Sequence, residues 1–245
     1  MQTRHAFLTD VGRRREHNED SLFVDGEARL WVVADGMGGH AAGETASRLT
    51  VDALARVLCS EQAVAVPAVE EVPAAAMARA IAVANEAVLS AARRDRRLAG
   101  MGTTVVGLLA RGAEAFIGHV GDSRAYLLRS GTLALLTEDH SLVQEQVRAG
   151  VLTPELARVS PYRNVITRSV GMEEEVEVDL ARLTPCAGDR LLLCSDGLNG
   201  MLEDAEIGAL LGAGTIDEAA RLLVDRANAA GGDDNITVVI VEWFE

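Results

Sequence analysis

Five times along this chain an apolar run of strand length meets an acidic residue set beside glycine or asparagine, a repetition that limits the possible folds more than any other feature. Asn18-Glu19-Asp20 precedes Ser21 to Val24, and Leu30 to Ala34 runs into Asp35-Gly36. Gly121-Asp122 joins Phe116 to Val120 with Ala125 to Leu128, Arg190 to Ser195 runs into Asp196-Gly197, and Asp233-Asp234-Asn235 opens Ile236 to Val241. One Asp-Gly after a strand is a turn. Five carboxylates delivered by separate strands read instead as one site, and oxygen donors without thiolate or imidazole suit hard cations such as Mn²⁺ or Mg²⁺.

The stretch from Leu30 to Gly43 has a second reading, because Gly36, Gly38 and Ala41 satisfy the Gly-x-Gly-x-x-Ala fingerprint of dinucleotide sites. That fingerprint asks for an acidic residue about 20 positions on, where this chain has Arg56 and Val57 inside a helical pattern. The later periodicity opposes it too. Strand-like runs at Thr103 to Leu109, Ala113 to Val120, Arg124 to Arg129 and Leu133 to Leu136 follow one another at hairpin spacing, without intervening helices. His5 to Asp10, Val176 to Leu180 and Arg190 to Cys194 are further strands, and Asn235 to Trp243 has the apolar run of a strand buried on both faces.

Helical spacing covers Gly43 to Leu58, with Ala46, Leu49, Ala53, Leu54 and Val57 on one face, and Ala74 to Ala92, with Met77, Ile81, Ala84 and Val88 on another. Ser141-x-x-Gln144 and Thr215-x-x-Glu218 have capping-box form, and Thr153-Pro154 starts a helical turn. Glu61 to Glu71 reads as a loop. Antiparallel strands with amphipathic helices make an α+β layered fold, and no linker-like stretch divides residues 1–245, which are expected to be one domain.

Acids number 37 against 23 lysines and arginines, a formal net charge of −14, which argues against nucleic acid or an anionic membrane as partner. Part of the excess is the acid cluster itself, whose repulsion divalent cations would relieve. The three cysteines lack Cys-x-x-Cys spacing, the start of the chain is polar, and no uninterrupted apolar run reaches the roughly 18 residues of a membrane span. A cytoplasmic location is expected.

Thr9-Asp-Val-Gly12 with Arg15-x-x-Asn18-Glu-Asp20, Val33-Ala-Asp-Gly-Met-Gly-Gly-His40, Gly102-Thr-Thr104, Gly121-Asp-Ser-Arg124, Arg163-Asn-Val-Ile-Thr167, Ser195-Asp-Gly197 and Asp234-Asn-Ile-Thr237 occur in that order. The ordered set resembles the metal-dependent serine/threonine protein phosphatases of the 2C type, the PPM family, in their bacterial single-domain form. It spans nearly the whole chain. The resemblance implies two antiparallel β-sheets packed face to face with helices on both outer faces, an α-β-β-α sandwich, with a flap at residues 140–171.

It also implies two Mn²⁺ or Mg²⁺ ions held by Asp20, Asp35, the Gly36 carbonyl, Asp196 and Asp234, and a weaker third ion at Asp122 with Asp196. Glu19 would orient water on the metals, and Arg15 would hold the phosphoryl group through paired guanidinium hydrogen bonds. A water or hydroxide bridging the two ions would attack phosphoserine or phosphothreonine directly. No protein nucleophile is then needed, and Gly121-Asp-Ser-Arg-Ala125 departs from a nucleophile elbow at its last residue.

Met37 stands where some relatives have a histidine, which leaves His40 or a water on the metals as the acid for the leaving group. His119 and His140 read as structural. In the flap, Arg163 and Arg168 would meet phosphate or acidic substrate residues, or else form surface salt bridges. The implied partners are phosphorylated proteins and an opposing serine/threonine kinase, with the chain a monomer. A phosphoprotein-binding module without catalysis and a hydrolase of small phosphoesters are open alternatives on the same residues.

Overall fold

A computed structural model describes residues 1–39, 41–59 and 73–245, so His40 and the loop expected at Glu61 to Glu71 lie outside the described residues. Strands β1 (Gln2–Asp10), β11 (Ile236–Phe244), β10 (Arg190–Cys194), β7 (Arg124–Arg129) and β8 (Thr132–Leu135) lie in that order in one antiparallel sheet. The second sheet runs β2 (Asp20–Asp25), β3 (Leu30–Met37), β5 (Val105–Arg111), β6 (Glu114–Val120) and β9 (Asp179–Leu183), with the short β4 (Gly102–Thr103) paired to β3.

The sheets stack because their strands alternate two apolar faces. On β3, Trp31 and Val33 point between the sheets and meet Val106, Leu108, Leu191, Leu193, Val239, Val241 and Trp243. Leu30, Val32 and Ala34 point the other way, under α1 (Ala41–Cys59) and α2 (Pro73–Arg94). On the opposite outer face, Leu192, Val238 and Ile240 pack beneath Ile207 of α6 (Asp204–Leu211) and Leu223 and Val224 of α7 (Ile216–Ala230). Both sheets are therefore covered on both faces, which is why β11 is apolar at nearly every position.

Local chemistry sets the helices on this frame. Thr215 accepts a hydrogen bond from Glu218 N while the Glu218 carboxylate accepts from Thr215 N, the reciprocal capping box that starts α7. Opposite α2, Gly107 and Gly118 form a cross-strand pair. A Cβ at Gly118 would fall 2.4 Å from Met77 Cγ, so the bare backbone there is a groove that Met77 fills. By length and composition α2 could cross a bilayer, yet its Met77, Ile81, Ala84 and Val88 stripe is buried in the core.

Three short helices, α3 (Leu142–Arg148), α4 (Pro154–Arg158) and α5 (Asp196–Asn199), contribute residues to one cleft beside the β6–β7 link. One strand differs from expectation. Instead of Val176 to Leu180, β9 spans Asp179–Leu183, because pairing Ala115 with Leu183 and Ile117 with Ala181 turns those apolar residues toward the space between the sheets. Val176 and Val178 pack on the helix-side core.

Leu193 is fully enclosed between the sheets, and truncating it leaves a cavity that the two covered sheets cannot collapse to fill. Leu193→Ala is expected to destabilise the protein by about 2–5 kcal/mol, whereas Leu222→Ala at an exposed site of α7 should cost no more than roughly 0.5 kcal/mol. Urea midpoints for the two variants check this, and equal shifts would overturn the assignment of the core.

Candidate metal centre

The antiparallel registers carry the acidic strand ends to one edge of the sandwich. Asp20 opens β2 directly opposite Asp35 on β3. At the end of β10, Cys194 pairs with Val238 on one side and Arg124 on the other, which places Ser195-Asp196 between Asp234-Asn235 and Asp122-Ser123. Asp122 lies in the link from β6 to β7, where the chain passes from one sheet to the other.

Neutral side chains lock the backbone beneath these carboxylates. Ser195 Oγ donates to Asp20 Oδ2 at 2.8 Å and accepts from Thr237 N at 3.0 Å. The Asn235 amide accepts from Glu19 N at 2.8 Å and donates to Val11 O and His17 O at 2.9 Å each, so one side chain ties the loop before β2 to the start of β11. Asp35 is held through its backbone: its N donates to Thr104 Oγ1 at 3.0 Å, and its carbonyl accepts from Thr103 Oγ1 at 2.7 Å. Gly36 has no room for a side chain, because a Cβ there would lie 2.2 Å from Gly43 O and 2.6 Å from Glu19 O. The Glu19 carboxylate lies against Gly43, in the first turn of α1, where a Cβ would meet its Oε2 at 1.8 Å.

Burial, and then repulsion from Asp196 and Asp234, pushes the Asp20 carboxyl up to about 7 against the pull of its hydrogen bonds from Thr237 and Ser195. Asp35 lies well above the ordinary range, first through burial and then through Asp20, Asp196, Asp122 and Asp234. Asp122 is raised by burial and by Asp196 and Asp139. Asp196 is raised to about 6, by burial and then by Asp234. Each of these carboxyls is held out of water and among like charges, and a counterion relieves both the desolvation and the repulsion.

The donor set fits divalent cations. Asp20 Oδ1, Asp122 Oδ1 and Asp196 Oδ1 are buried and have no hydrogen-bond partner among the described residues, and a cation satisfies such oxygens. Among the described residues no three acidic, imidazole or thiol groups already stand at metal-holding geometry, so the fit rests on the oxygen chemistry and the orphaned carboxylate oxygens, which suit hard cations. A cleft of about 270 Å³ opens from Asp122 and Asp196 toward α3 and α4, with Arg163 in its lining.

The family model described as protein phosphatase 2C matches residues 11–236. This chain belongs to the protein phosphatase 2C family. Within the family it is similar to the serine/threonine phosphatase stp of Listeria innocua, 40% identical over 240 residues that make up 96% of this chain and 94% of the relative. The crystal structure of the Mycobacterium tuberculosis serine/threonine phosphatase PstP/Ppp superposes with a TM-score of 0.91 at 39% identity, covering 100% of both chains. A PstP catalytic domain in complex with two manganese ions superposes at 0.88 with 38% identity and 99% of each chain covered. The α+β sandwich expected from the sequence is the fold of this family.

Among the expected site residues, Asp20, Asp35, Asp196 and Asp234 lie within electrostatic reach of one another, and Asp122 borders Asp35 and Asp196. Arg15 reaches the same cluster, with its Nη2 2.5 Å from Asp234 Oδ2. Arg168 is not in the cleft lining; it pairs with Asp179 at 2.7 Å and Glu177 at 3.2 Å. His140 takes a positioning contact, its Nδ1 accepting from Gly121 N at 2.9 Å. The supporting roles of Ser195, Asn235, Thr103 and Thr104 were not assigned from sequence, although each stands within a motif block, Ser195 and Asn235 directly beside a strand-end aspartate.

The raised carboxyls fix the sign of a pH effect. Their folded pKa values exceed the ordinary value of about 4, so the native chain holds more protons than the unfolded chain between about pH 4 and 7, and their contribution to stability falls as pH rises through that window. Chelator-treated protein should therefore gain a few degrees in Tm when pH drops from 7.5 to 5.5, and saturating Mn²⁺ should flatten or invert that slope. A metal-free Tm that stays flat or falls on acidification would contradict the electrostatics described above.

Proposed function

We infer that this chain is a metal-dependent serine/threonine protein phosphatase whose centre is formed by the carboxylates at the sandwich edge. The observation that carries the reading is the gathering of five strand-end aspartates, three with orphaned buried oxygens, beside an arginine in a chain of the phosphatase 2C family. Asp20, Asp35, Asp196, Asp234 and the Gly36 carbonyl would hold two Mn²⁺ or Mg²⁺ ions, with Asp122 and Asp196 offering a weaker third site. Such ions supply a nucleophilic water at neutral pH and neutralise charge on the phosphoryl group.

The chain's own residues do the rest. Arg15 is poised to exchange partners: one nitrogen of its guanidinium meets Asp234, and once the Asp234 charge is taken up elsewhere the whole fork would be free for two phosphoryl oxygens. Glu19 sits on the cluster side of α1 with its backbone pinned by Asn235, a placement suited to orienting water. Residues 140–171 form the flap over the cleft, in which Arg163 faces substrate and Arg168 braces the flap through Asp179.

Phosphorylated proteins are the substrates, a serine/threonine kinase is the opposing enzyme, and residues 1–245 act as one domain in a monomer. Three free cysteines suit the reducing cytoplasm.

Phosphate release from a phosphothreonine peptide should require Mn²⁺ and stop with chelator. Asp196→Asn should lower kcat by on the order of 100-fold or more, because one ligand to the shared centre is lost. Arg15→Ala should lower kcat/KM by roughly 10- to 100-fold while Mn²⁺ affinity, measured by calorimetry, stays within about threefold. Undiminished turnover in Asp196→Asn would remove the carboxylate edge as the reaction centre.

A further inference from the structure

The cleft that begins at Asp122 and Asp196 continues between α3 and α4, and the whole cavity measures about 270 Å³. Val143 and Val147, four residues apart on α3, share one face of that helix, and Pro154 and Ala157 share one face of α4. With Leu135 of β8 they give the cavity an apolar wall. None of the reaction steps above uses this wall.

The charged part of the lining is largely engaged already. Arg124 is gripped by Asp139 through bonds of 2.8 and 2.7 Å, and Arg158 pairs with Glu203 at 3.0 Å. Arg163, exposed on the lining, is the one cation there without a carboxylate partner among the described residues. Asp122, Asp139, Asp196 and Asp204 share the lining, and the chain as a whole carries −14. Asp139 and Asp204 face Arg124 and Asp122 and Asp196 belong to the proposed cation sites, so an acidic side chain entering the cavity loses hydration against the apolar wall with Arg163 as its one uncommitted partner.

We propose that this cavity is a specificity subsite that takes the apolar side chain of a residue flanking the phosphorylated serine or threonine of a protein substrate. The inference rests on placing the phosphoryl group at the carboxylate cluster. Since the cluster and the cavity share Asp122 and Asp196, a peptide held there passes its neighbouring residues, spaced about 3.8 Å apart, across the cavity mouth. An apolar side chain that enters removes both its own surface and the facing wall from water. Substrate choice is then read by shape and hydrophobicity on α3 and α4, because a chain so acidic gains little from long-range attraction to an anionic phosphopeptide.

The test measures kcat/KM of the full chain with Mn²⁺ on phosphothreonine peptides of one host sequence, placing Ala, Leu or Asp in turn at each of the nearest positions on either side. One position should favour Leu over Ala by about tenfold and disfavour Asp. The readout is the Leu/Ala ratio, which a partial loss of active protein leaves untouched. Val147→Thr, nearly isosteric but polar, should shrink the ratio several-fold, and Val147→Phe, which fills the cavity, should bring it close to one. Equal kcat/KM for all three flanks at every position overturns the subsite. A preference for Asp that disappears in Arg163→Ala overturns it as well, by assigning the flank to the arginine. Failure of the unaltered chain to hydrolyse any peptide sinks the placement of the phosphoryl group and the subsite with it, a result distinct from equal rates.

Discussion

Repulsion among carboxylates held at one edge of a sandwich is the constraint on which the surrounding structure depends. Asp20 and Asp35 stand directly opposite each other on neighbouring strands, a pairing of like charges that destabilises an antiparallel sheet. Burial raises the cost further, as the upward shifts at Asp20, Asp35, Asp122 and Asp196 record. Such an arrangement persists only if the backbone beneath it cannot relax. The neutral bonds from Ser195, Asn235, Thr103 and Thr104 supply that rigidity without adding charge, and preorganised ligands of this kind suit a cation site.

Two sheets are needed because neither presents the whole set. One contributes Asp20 and Asp35, the other Asp196 and Asp234 at the ends of β10 and β11, and Asp122 lies where the chain crosses between them. The separation of the two halves is therefore set by the side chains between the sheets, among them Trp31, Leu193, Val239 and Trp243. Packed sheets lie about 10 Å apart, and core residues change volume only at a cost. Core packing far from the edge thus fixes distances at the edge, which links the stability of the sandwich to the geometry of the centre.

Much of this was legible in the sequence wherever one residue type had one physical reason to be there. The strand-end aspartates, the Thr215 capping box and the Met77 to Val88 stripe depend on local pattern, and each is found at its place. The β9 strand was misplaced because Val176 and Val178 are as apolar as a strand requires; only the pairing with β6 decides that Ala181 and Leu183 turn between the sheets. Helices α5 and α6 were unread because a four-residue turn after Asp196 and a short segment at Asp204–Leu211 give little periodicity. The double use of Asn235, accepting from one loop residue and donating to two others, follows from tertiary placement and has no signature in spacing.

The arginines show how the same chemistry separates into structure and action. Arg124 is mostly enclosed and makes a two-pronged contact with an equally enclosed Asp139. Removing Arg124 would strip the largely enclosed Asp139 of this two-pronged partner, a cost of several kcal/mol, whereas Arg124 without Asp139 keeps Asp204 at 3.8 Å. Arg15, by contrast, leaves half its side chain in solvent and meets Asp234 through one nitrogen. A pair that open is worth roughly 0–1 kcal/mol, so on the proposed reading its exchange for a doubly charged phosphoryl group would be favourable. On the proposed reading, the arginine that would exchange Asp234 for phosphate sits on the exposed loop before β2, while Arg124 stays locked to Asp139 in the wall of the cleft.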